Sequence, residues 1–495
     1  MTKVKKNYIL NLIFQIFSLI TPLLVTPYIS RVLGTVGIGQ YSFCYALASY
    51  FVLLAAIGFN TYSQREISRV QDDKETQTKL FWEIFIARFL SVGVSLGIFL
   101  IVIFAGIDDP IYKKLLLIMV INVVATIFDI AYFFQGREQF GTIVLWNIIV
   151  KILGIAGIFI FVKTEQDIYL YALFQSLVLI GSNIVLWTRL PKLLSKVRFK
   201  ELNIKRHYVP ALRLFIPTVA ISVYTMLDKT LIGLLIPGVT ENGEKVADLE
   251  NGFYDQAEKI VKMTMTIITS LGTVMIPRNS NAIATGNIEE FKKNVSGALK
   301  FVAFLGIPLM FGLAAIAFNF SPWFFGPGYE KVPSLMMIFS TLVLFIGLSN
   351  VLGIQYLLPL KRDRDYTTAI ICGSVINLIL NLSLIPFFWS YGACIASIVA
   401  ELTVTCVMFW FARKDVSFLK FLGSSWKYIL SGAVMFAVVF LTQHFLEPSL
   451  LHTLLLIAEG AATYLILLLC FRDNILLGFV RKITKKESKT EEIIN

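Results

Sequence analysis

Leu212–Pro237 reads LRLFIPTVAISVYTMLDKTLIGLLIP, and Gly252–Pro277, beyond a short acidic loop, reads GFYDQAEKIVKMTMTIITSLGTVMIP. Each run is long enough to cross a bilayer as a helix, at about 20 residues per span. The first carries Asp228 and Lys229 well inside it. In the second, Asp255, Glu258, Lys259 and Lys262 fall at i, i+3, i+4 and i+7 and so share one helical face. Lipid does not solvate charge, so ionisable groups in spanning helices face a bundle interior or a water-filled path. The pair reads as one wall of a hydrated cavity.

Outward from this pair, similar apolar runs recur along all 495 residues, of which 57% are hydrophobic and 15% charged, for a mean hydropathy of +0.75. This composition predicts an all-α integral membrane protein. Spans fall at about 8–32, 38–60, 80–106, 112–135, 141–162, 167–188, 211–236, 252–276, 298–320, 333–356, 367–387, 391–411, 427–446 and 450–471, about fourteen in all. The first follows MTKVKK like a signal peptide, but it is too long and lacks a small-residue cleavage site, so it is expected to stay as a span. Five cysteines scattered within apolar runs and three histidines argue against disulfides and a metal centre. The net charge of +12 lies in short loops, where anionic lipid headgroups rather than nucleic acid are the expected partner. With the N-terminus inside, 33 Lys and Arg fall on the cytoplasmic side and 6 outside, which predicts both termini in the cytoplasm.

The basic connection Arg189–Arg213 divides the first twelve spans into two sets of six. The organisation read from this is an N-terminal lobe (1–190), an amphipathic cytoplasmic linker (191–210), a C-terminal lobe (211–415), two further spans (416–475) and a cytoplasmic tail (476–495). Each half opens alike, with a proline-containing span (Pro22, Pro27; Pro217) and then Gly39-Gln-Tyr41 or Gly252-Phe-Tyr254. Halves of six spans start on the same side, so the repeats are parallel, related by a pseudo-two-fold axis along the membrane normal.

Six basic groups, Arg31, Arg88, Lys151, Lys229, Lys259 and Lys262, lie at depths that lipid disfavours and together imply a cationic cavity for an anionic substrate. Glu83, in the same helix as Arg88, and Glu401 are further polar sites, each weighed against interhelical pairing; Asn377 and Asn381 read as packing groups. Asp363-Arg364-Asp365 reads as a solvated loop and not a metal-binding DxD, His444 and His452 as unpaired turn residues, and Gly34–Gly39 as a turn between helices.

Ser30–Tyr41 (SRVLGTVGIGQY), Phe128–Phe140 (FDIAYFFQGREQF), Gly252–Lys262 (GFYDQAEKIVK), Met275–Ser280 (MIPRNS), Gly353–Thr367 (GIQYLLPLKRDRDYT) and Asn377–Glu401 (NLILNLSLIPFFWSYGACIASIVAE) occur in this order over most of the chain. The set resembles the polysaccharide-transport branch of the multidrug/oligosaccharidyl-lipid/polysaccharide exporter superfamily. The resemblance implies two six-helix lobes in a V around a central cavity, two extra C-terminal helices and alternating access. It implies a polyprenyl-diphosphate-linked oligosaccharide moved to the outer leaflet of a bacterial plasma membrane, with a glycan polymerase or transferase of the same pathway as a further partner. Arg31, Lys229, Lys259 and Lys262, supported by Arg88 and Lys151, would then attract the diphosphate. Tyr41 and Tyr254 would contact sugars, and Asp228, Asp255 and Glu258 would pair with the cations when the cavity is empty. Coupling to a proton or Na⁺ through Glu401, Asp129 or Glu83 stays open. No Walker-type sequence occurs, so no cofactor or ATP hydrolysis is expected. The alternatives are a cation-coupled multidrug antiporter of the same fold, disfavoured because Asn7–Val32 holds no acidic residue, and a membrane glycan polymerase or ligase, disfavoured by the short outer loops.

Overall fold

A computed structural model describes residues 3–70, 73–137 and 139–478, so residues 479–495 of the expected tail lie outside it. Among the described residues there is no β-strand, only one isolated bridge between Val239 and Lys245. The helices are α1 (Lys3–Ala56), α2 (Phe59–Arg69), α3 (Lys74–Gly106), α4 (Pro110–Phe128), α5 (Ala131–Gly136), α6 (Phe140–Phe161), α7 (Ile168–Trp187), α8 (Tyr208–Leu235), α9 (Val246–Ala284), α10 (Ile288–Phe325), α11 (Val332–Phe339), α12 (Thr341–Asn350), α13 (Asp363–Ala412), α14 (Phe418–Thr442) and α15 (Leu450–Cys470).

Among the described residues, ten helical stretches are long and apolar enough to cross a membrane. Two of them are double. α1 bends at Gly34 (φ 64°, ψ 177°), a conformation open to glycine and strained for other residues, and this bend is the turn read from GTVGIG. α13 breaks at Trp389 (φ 54°, ψ −130°) after Pro386. The charged helices α8 and α9 bring the total to fourteen spans, and the chain is membrane-embedded.

Boundaries shift where local chemistry overrides hydropathy. α9 starts at Val246 instead of 252, because the Val239–Lys245 bridge closes the loop and Asp248 supplies negative charge in the first turn. α10 starts ten residues before the apolar run, where Asn287 caps the Glu290 N–H at 3.1 Å. The span read as 333–356 is α11, α12 and a π-helical turn, Val351–Leu357; Asn279 Nδ2 donates to the Gln355 carbonyl there at 3.0 Å. Asp363 and Asp365 form the first turn of α13, with Asp365 bound to Arg362 at 2.6 Å.

Packing divides the chain into two compact units at other places than the lobes read from the sequence. One unit holds the described residues up to Asp255 with Asn381–Trp389; the other holds Gln256–Leu380 and the described residues from Ser390 on. In the first unit Phe43, Phe99, Leu115, Leu116 and Met119 form a buried core where α1, α3 and α4 meet. Lipid is as apolar as these side chains, so close van der Waals packing holds them more than expulsion of water does. Close approach is visible where the two Gly-x-Tyr motifs lie. A Cβ on Gly39 would come within 1.7 Å of the Asp248 carbonyl oxygen, and one on Gly252 within 2.2 Å of that of Thr35. α1 and the start of α9 therefore cross backbone to backbone, which is why α8 and the first turns of α9 pack with the N-terminal helices.

The linker is clamped to this unit. Glu83 of α3, fully buried, accepts from Arg206 at 2.5 Å and from the Asn203 backbone N–H at 2.8 Å, and it meets His207 Nε2 at 2.8 Å. Tyr62 of α2 closes on His207 Nδ1 at 2.7 Å. In the second unit α14 and α15 pack on α10: Tyr464 donates to the Phe304 carbonyl at 2.9 Å, and Trp323 Nε1 to Thr453 at 2.7 Å. At the base of that unit Asp415 takes Lys292 at 2.7 Å and the Tyr356 hydroxyl at 2.6 Å, and those two partners hold its carboxyl below the usual range.

Candidate functional site

In the first unit α1, α4, α6 and α7 wall a pocket of about 460 Å³. α7 presents Gln175, Val178, Leu179, Ser182 and Asn183, spaced i, i+3, i+4, i+7 and i+8, as one polar-edged face of an otherwise apolar helix. α6 adds Asn147 and Lys151, one turn apart; Lys151 sits midway along α6 and reaches Ser18 Oγ at 3.5 Å. α4 adds Asn122, and α1 adds Tyr41 and Tyr45. Among the described residues, the lining contains one lysine and no carboxylate.

Some of this polarity serves packing. Asn183 Nδ2 donates to the Ala125 carbonyl at 2.9 Å, and Gln175 Nε2 to the Tyr171 hydroxyl at 3.0 Å. Asn122 differs: only 6% exposed, it has a buried Oδ1 with no hydrogen-bond partner. Tyr41 lies against Tyr45 (centroids 5.8 Å, 20°) and edge-on to Tyr171 (4.8 Å, 61°).

Of the residues singled out from the sequence, the structure brings Tyr41 and Lys151 to this pocket. Near the loop that precedes α9 it gathers a second group. Lys229 Nζ bonds Asp255 at 2.5 Å, with Ser42 Oγ on the same carboxylate at 3.1 Å. Asp228 accepts from Asn381 Nδ2 at 2.5 Å and also from the Tyr254 hydroxyl. Tyr254 is 1% exposed and committed to a carboxylate, so it presents no ring face to a sugar in this structure. Asp248, which sequence reading passed over, accepts from Tyr112 at 2.5 Å and Gln40 at 3.2 Å. Beside it, Lys245 and Asp109 join at 2.6 Å; burial pushes the Asp109 carboxyl up, but Lys245 and the Ile111 and Tyr112 N–H groups outweigh it and hold the group below its ordinary range.

Three expected site residues sit elsewhere. Arg88 is 1% exposed, its guanidinium given to the Asp129 and Thr126 carbonyls at 2.8 Å each and stacked over Tyr132. With the Asp129 carboxylate at 3.6 Å this is a clasp on the end of α4, not a lining cation. Glu83 holds the linker. Arg31 is exposed and donates to the Pro27 carbonyl at 2.8 Å. In the second unit Lys262 pairs with Glu258 at 2.7 Å and Lys259 meets Gln256 at 3.3 Å, while Glu401 is buried in α13. Among the described residues no three His, Cys, Asp or Glu are grouped to hold a metal.

Sequence reading missed Asn122, Asn147, Gln175, Ser182 and Asn183 because it weighed charge and passed over neutral amides. The i, i+7, i+8 spacing on α7 and the i, i+4 pair on α6 were the available signal.

The second unit carries a cavity of the opposite kind, an apolar groove of about 490 Å³ lined from α10 by Phe304, Pro308 and Gly312, from α14 by Met435 and from α15 by Gly460 and Tyr464.

Comparison with known proteins gives two family models. One, described as polysaccharide biosynthesis protein, matches residues 4–283; the other, lipid II flippase MurJ, matches residues 251–459. A putative O-antigen transporter of Escherichia coli K12 is 26% identical over 425 residues, covering 83% of this chain and 97% of the relative. Lipid II flippase MurJ of Bacillus subtilis 168 is 20% identical over 83% of this chain and 84% of its own. Among solved structures, a lipid II flippase MurJ superposes with a TM-score of 0.72 at 18% identity, covering 95% of this chain and 99% of that one. A multidrug resistance MATE transporter gives 0.62 at 12% identity, covering 82% and 95%. These likenesses give the fold: an all-helical exporter-superfamily architecture.

Proposed function

The chain belongs to the polysaccharide biosynthesis protein family of the multidrug/oligosaccharidyl-lipid/polysaccharide exporter superfamily, and on that premise we propose that it is a flippase for a polyprenyl-diphosphate-linked oligosaccharide. The substrate moves from the inner to the outer leaflet of a bacterial plasma membrane, and the 33-to-6 basic bias supports an orientation with both termini in the cytoplasm. The observation that carries this reading is the pocket around Lys151, a water-compatible recess lined with amides in a chain that is otherwise apolar. A sugar headgroup has to leave water without entering oil, and such a recess offers hydrogen bonds in exchange.

The pairs Lys229–Asp255 and Lys262–Glu258 keep their charges compensated when no substrate is bound, and each lysine is available to a diphosphate that displaces its carboxylate. Moving two negative charges outward across an inside-negative potential gains about 2.3 kcal/mol per charge per 100 mV, which gives direction without ATP. A cation-coupled drug antiporter fits less well, because the described lining residues hold a lysine and no carboxylate, the reverse of what a cationic drug needs. Depleting the protein in its host is expected to leave single lipid-linked repeat units on the inner face. Units accumulating on the outer face instead would point to a polymerase, and no accumulation to an antiporter.

A further inference from the structure

Where α7 runs into the linker, a further pocket of about 540 Å³ is lined by Trp82 of α3, Trp187 of α7 and, just beyond it, Leu190, Leu194, Ser195 and Lys196. Both tryptophans mark the edge of an apolar span. Trp82 follows the polar opening of α3, KETQTKLF, and Trp187 closes the apolar α7, with Thr188 and Arg189 next. An indole has an apolar body and one polar N–H, which suits the headgroup level of a bilayer. The walls are fixed in place. Trp187 Nε1 donates to the Phe128 carbonyl at 2.9 Å, the Ser195 backbone N–H donates to Thr78 Oγ1 at 2.9 Å, and Phe85 lies edge-on to both indoles, with centroids 5.7 and 5.1 Å away.

Charge along this stretch has one sign. Residues 188–200 hold Arg189, Lys192, Lys196, Arg198 and Lys200, all exposed, and no Asp or Glu. Arg198 meets Glu201 at 3.7 Å; among the described residues the other four have no carboxylate partner, whereas Lys229, Lys245 and Lys262 each hold one. Glu83, next to Trp82 in sequence, is committed to Arg206 and His207. Uncompensated cations beside an apolar recess suit a ligand with an anionic head and an apolar body. A free phosphate leaves the indoles and leucines unused, and a zwitterionic lipid brings an ammonium of its own against the lysines.

We propose that this pocket binds one anionic glycerophospholipid, with Lys196 and the Ser195 hydroxyl on its phosphate, Arg189 and Lys192 adding to the attraction, and the upper acyl chains against Trp82, Trp187, Leu190 and Leu194. A basic loop draws anionic headgroups in general; a walled pocket makes one of them a ligand of fixed stoichiometry. Bound there, the lipid braces the start of the linker against α3, as the Glu83 clamp braces its end. The inference is independent of what the protein transports.

The test uses the purified full-length chain titrated with phosphatidylglycerol or phosphatidylcholine, the bound lipid being counted by native mass spectrometry. Wild-type chain is expected to hold one phosphatidylglycerol about tenfold or more tighter than phosphatidylcholine. Lys192→Gln combined with Lys196→Gln should remove that preference, and so should Leu194→Trp, which fills the apolar floor and alters no charge. Preference lost with the lysines but kept in Leu194→Trp would mean diffuse surface attraction and overturn the site, as would no preference in the wild type. Displacement of the lipid by inorganic phosphate would make this a phosphate site, and displacement by poly-glutamate a docking site for an acidic protein; either contradicts the proposal. Wild-type chain alone supplies a check that survives misfolding of the variants: amide exchange over 190–196 should be slower in phosphatidylglycerol nanodiscs than in phosphatidylcholine nanodiscs, and equal exchange would contradict the location.

Discussion

The pocket of the first unit and the groove of the second are nearly equal in volume, about 460 and 490 Å³, and opposite in chemistry. Both are made the same way, by helix faces repeating at three and four residues. In α7 the face is Gln175, Ser182 and Asn183; in α10 it is Phe304, Pro308 and Gly312. A fold that needs spanning helices fixes where such faces lie, and the residues written on them decide whether the recess is polar or apolar.

Four experiments sharpen or break that contrast. The largest effect is expected from reversing the charge in the pocket. Lys151→Glu puts a carboxylate where the pocket holds a lysine, and transport should fall on the order of 100-fold with the protein still present in the membrane. Unchanged surface glycan in such a strain would remove the pocket from the pathway. Next comes the groove. A Cβ at Gly312 has only Met435 Cε nearby, at 3.6 Å, so Gly312→Leu fills the space without a backbone clash. Transport of the full-length polyprenyl substrate should drop about tenfold, by overpacking of ~1–3 kcal/mol, while a short-chain analogue is carried as before. If both lipids lose equally, the groove does not read the tail.

The third experiment separates clasp from cavity. Arg88→Met removes a buried cation and strands the carbonyls of Thr126 and Asp129. We expect a destabilisation of about 3–5 kcal/mol, seen as a lower unfolding midpoint, with transport per folded molecule preserved. Arg88→Met with full stability and no transport would return Arg88 to the substrate path. The smallest effect concerns the linker. Burial pushes the His207 imidazole below its ordinary range, against the opposing pull of Glu83, while Arg206, Glu66 and Tyr62 also face it. A group with a depressed folded pKa stabilises above its unfolded value, near 6.5, and that contribution is lost as pH falls. Lowering the pH from 7 towards 5 should loosen the linker, measured as faster amide exchange at 203–207, and His207→Gln should flatten that response. An equal pH response in the variant would rule the histidine out.

How much of this was legible in the sequence differs by residue type. Hydropathy alone located fourteen spans, because about 20 apolar residues have few other uses. It misjudged ends wherever a polar first turn extends a helix beyond lipid, as Asn287, Glu289 and Glu290 do for α10. Charge was an incomplete guide to the site. Lys151 lines the pocket, yet Arg88 and Glu83 lie as deep in their apolar run and serve as clasps, because an intramembrane charge is satisfied by backbone carbonyls or by the linker as readily as by a substrate. Neutral amides such as Asn122 and Asn147 were passed over since, taken one at a time, they read as packing groups; only their convergence in space distinguishes them. The Gly39 and Gly252 motifs read as a repeat, but that they meet backbone to backbone is a property of three dimensions.

The most direct test of the central claim is transbilayer movement by the purified full-length chain in proteoliposomes. Lipid-linked glycan from the host is placed in the inner leaflet, and its exposure to periodate added outside is followed over time. The account predicts that wild-type chain speeds exposure well beyond protein-free vesicles, and that Lys151→Glu returns the rate to that baseline. Exposure no faster with wild-type chain than without it would contradict the account.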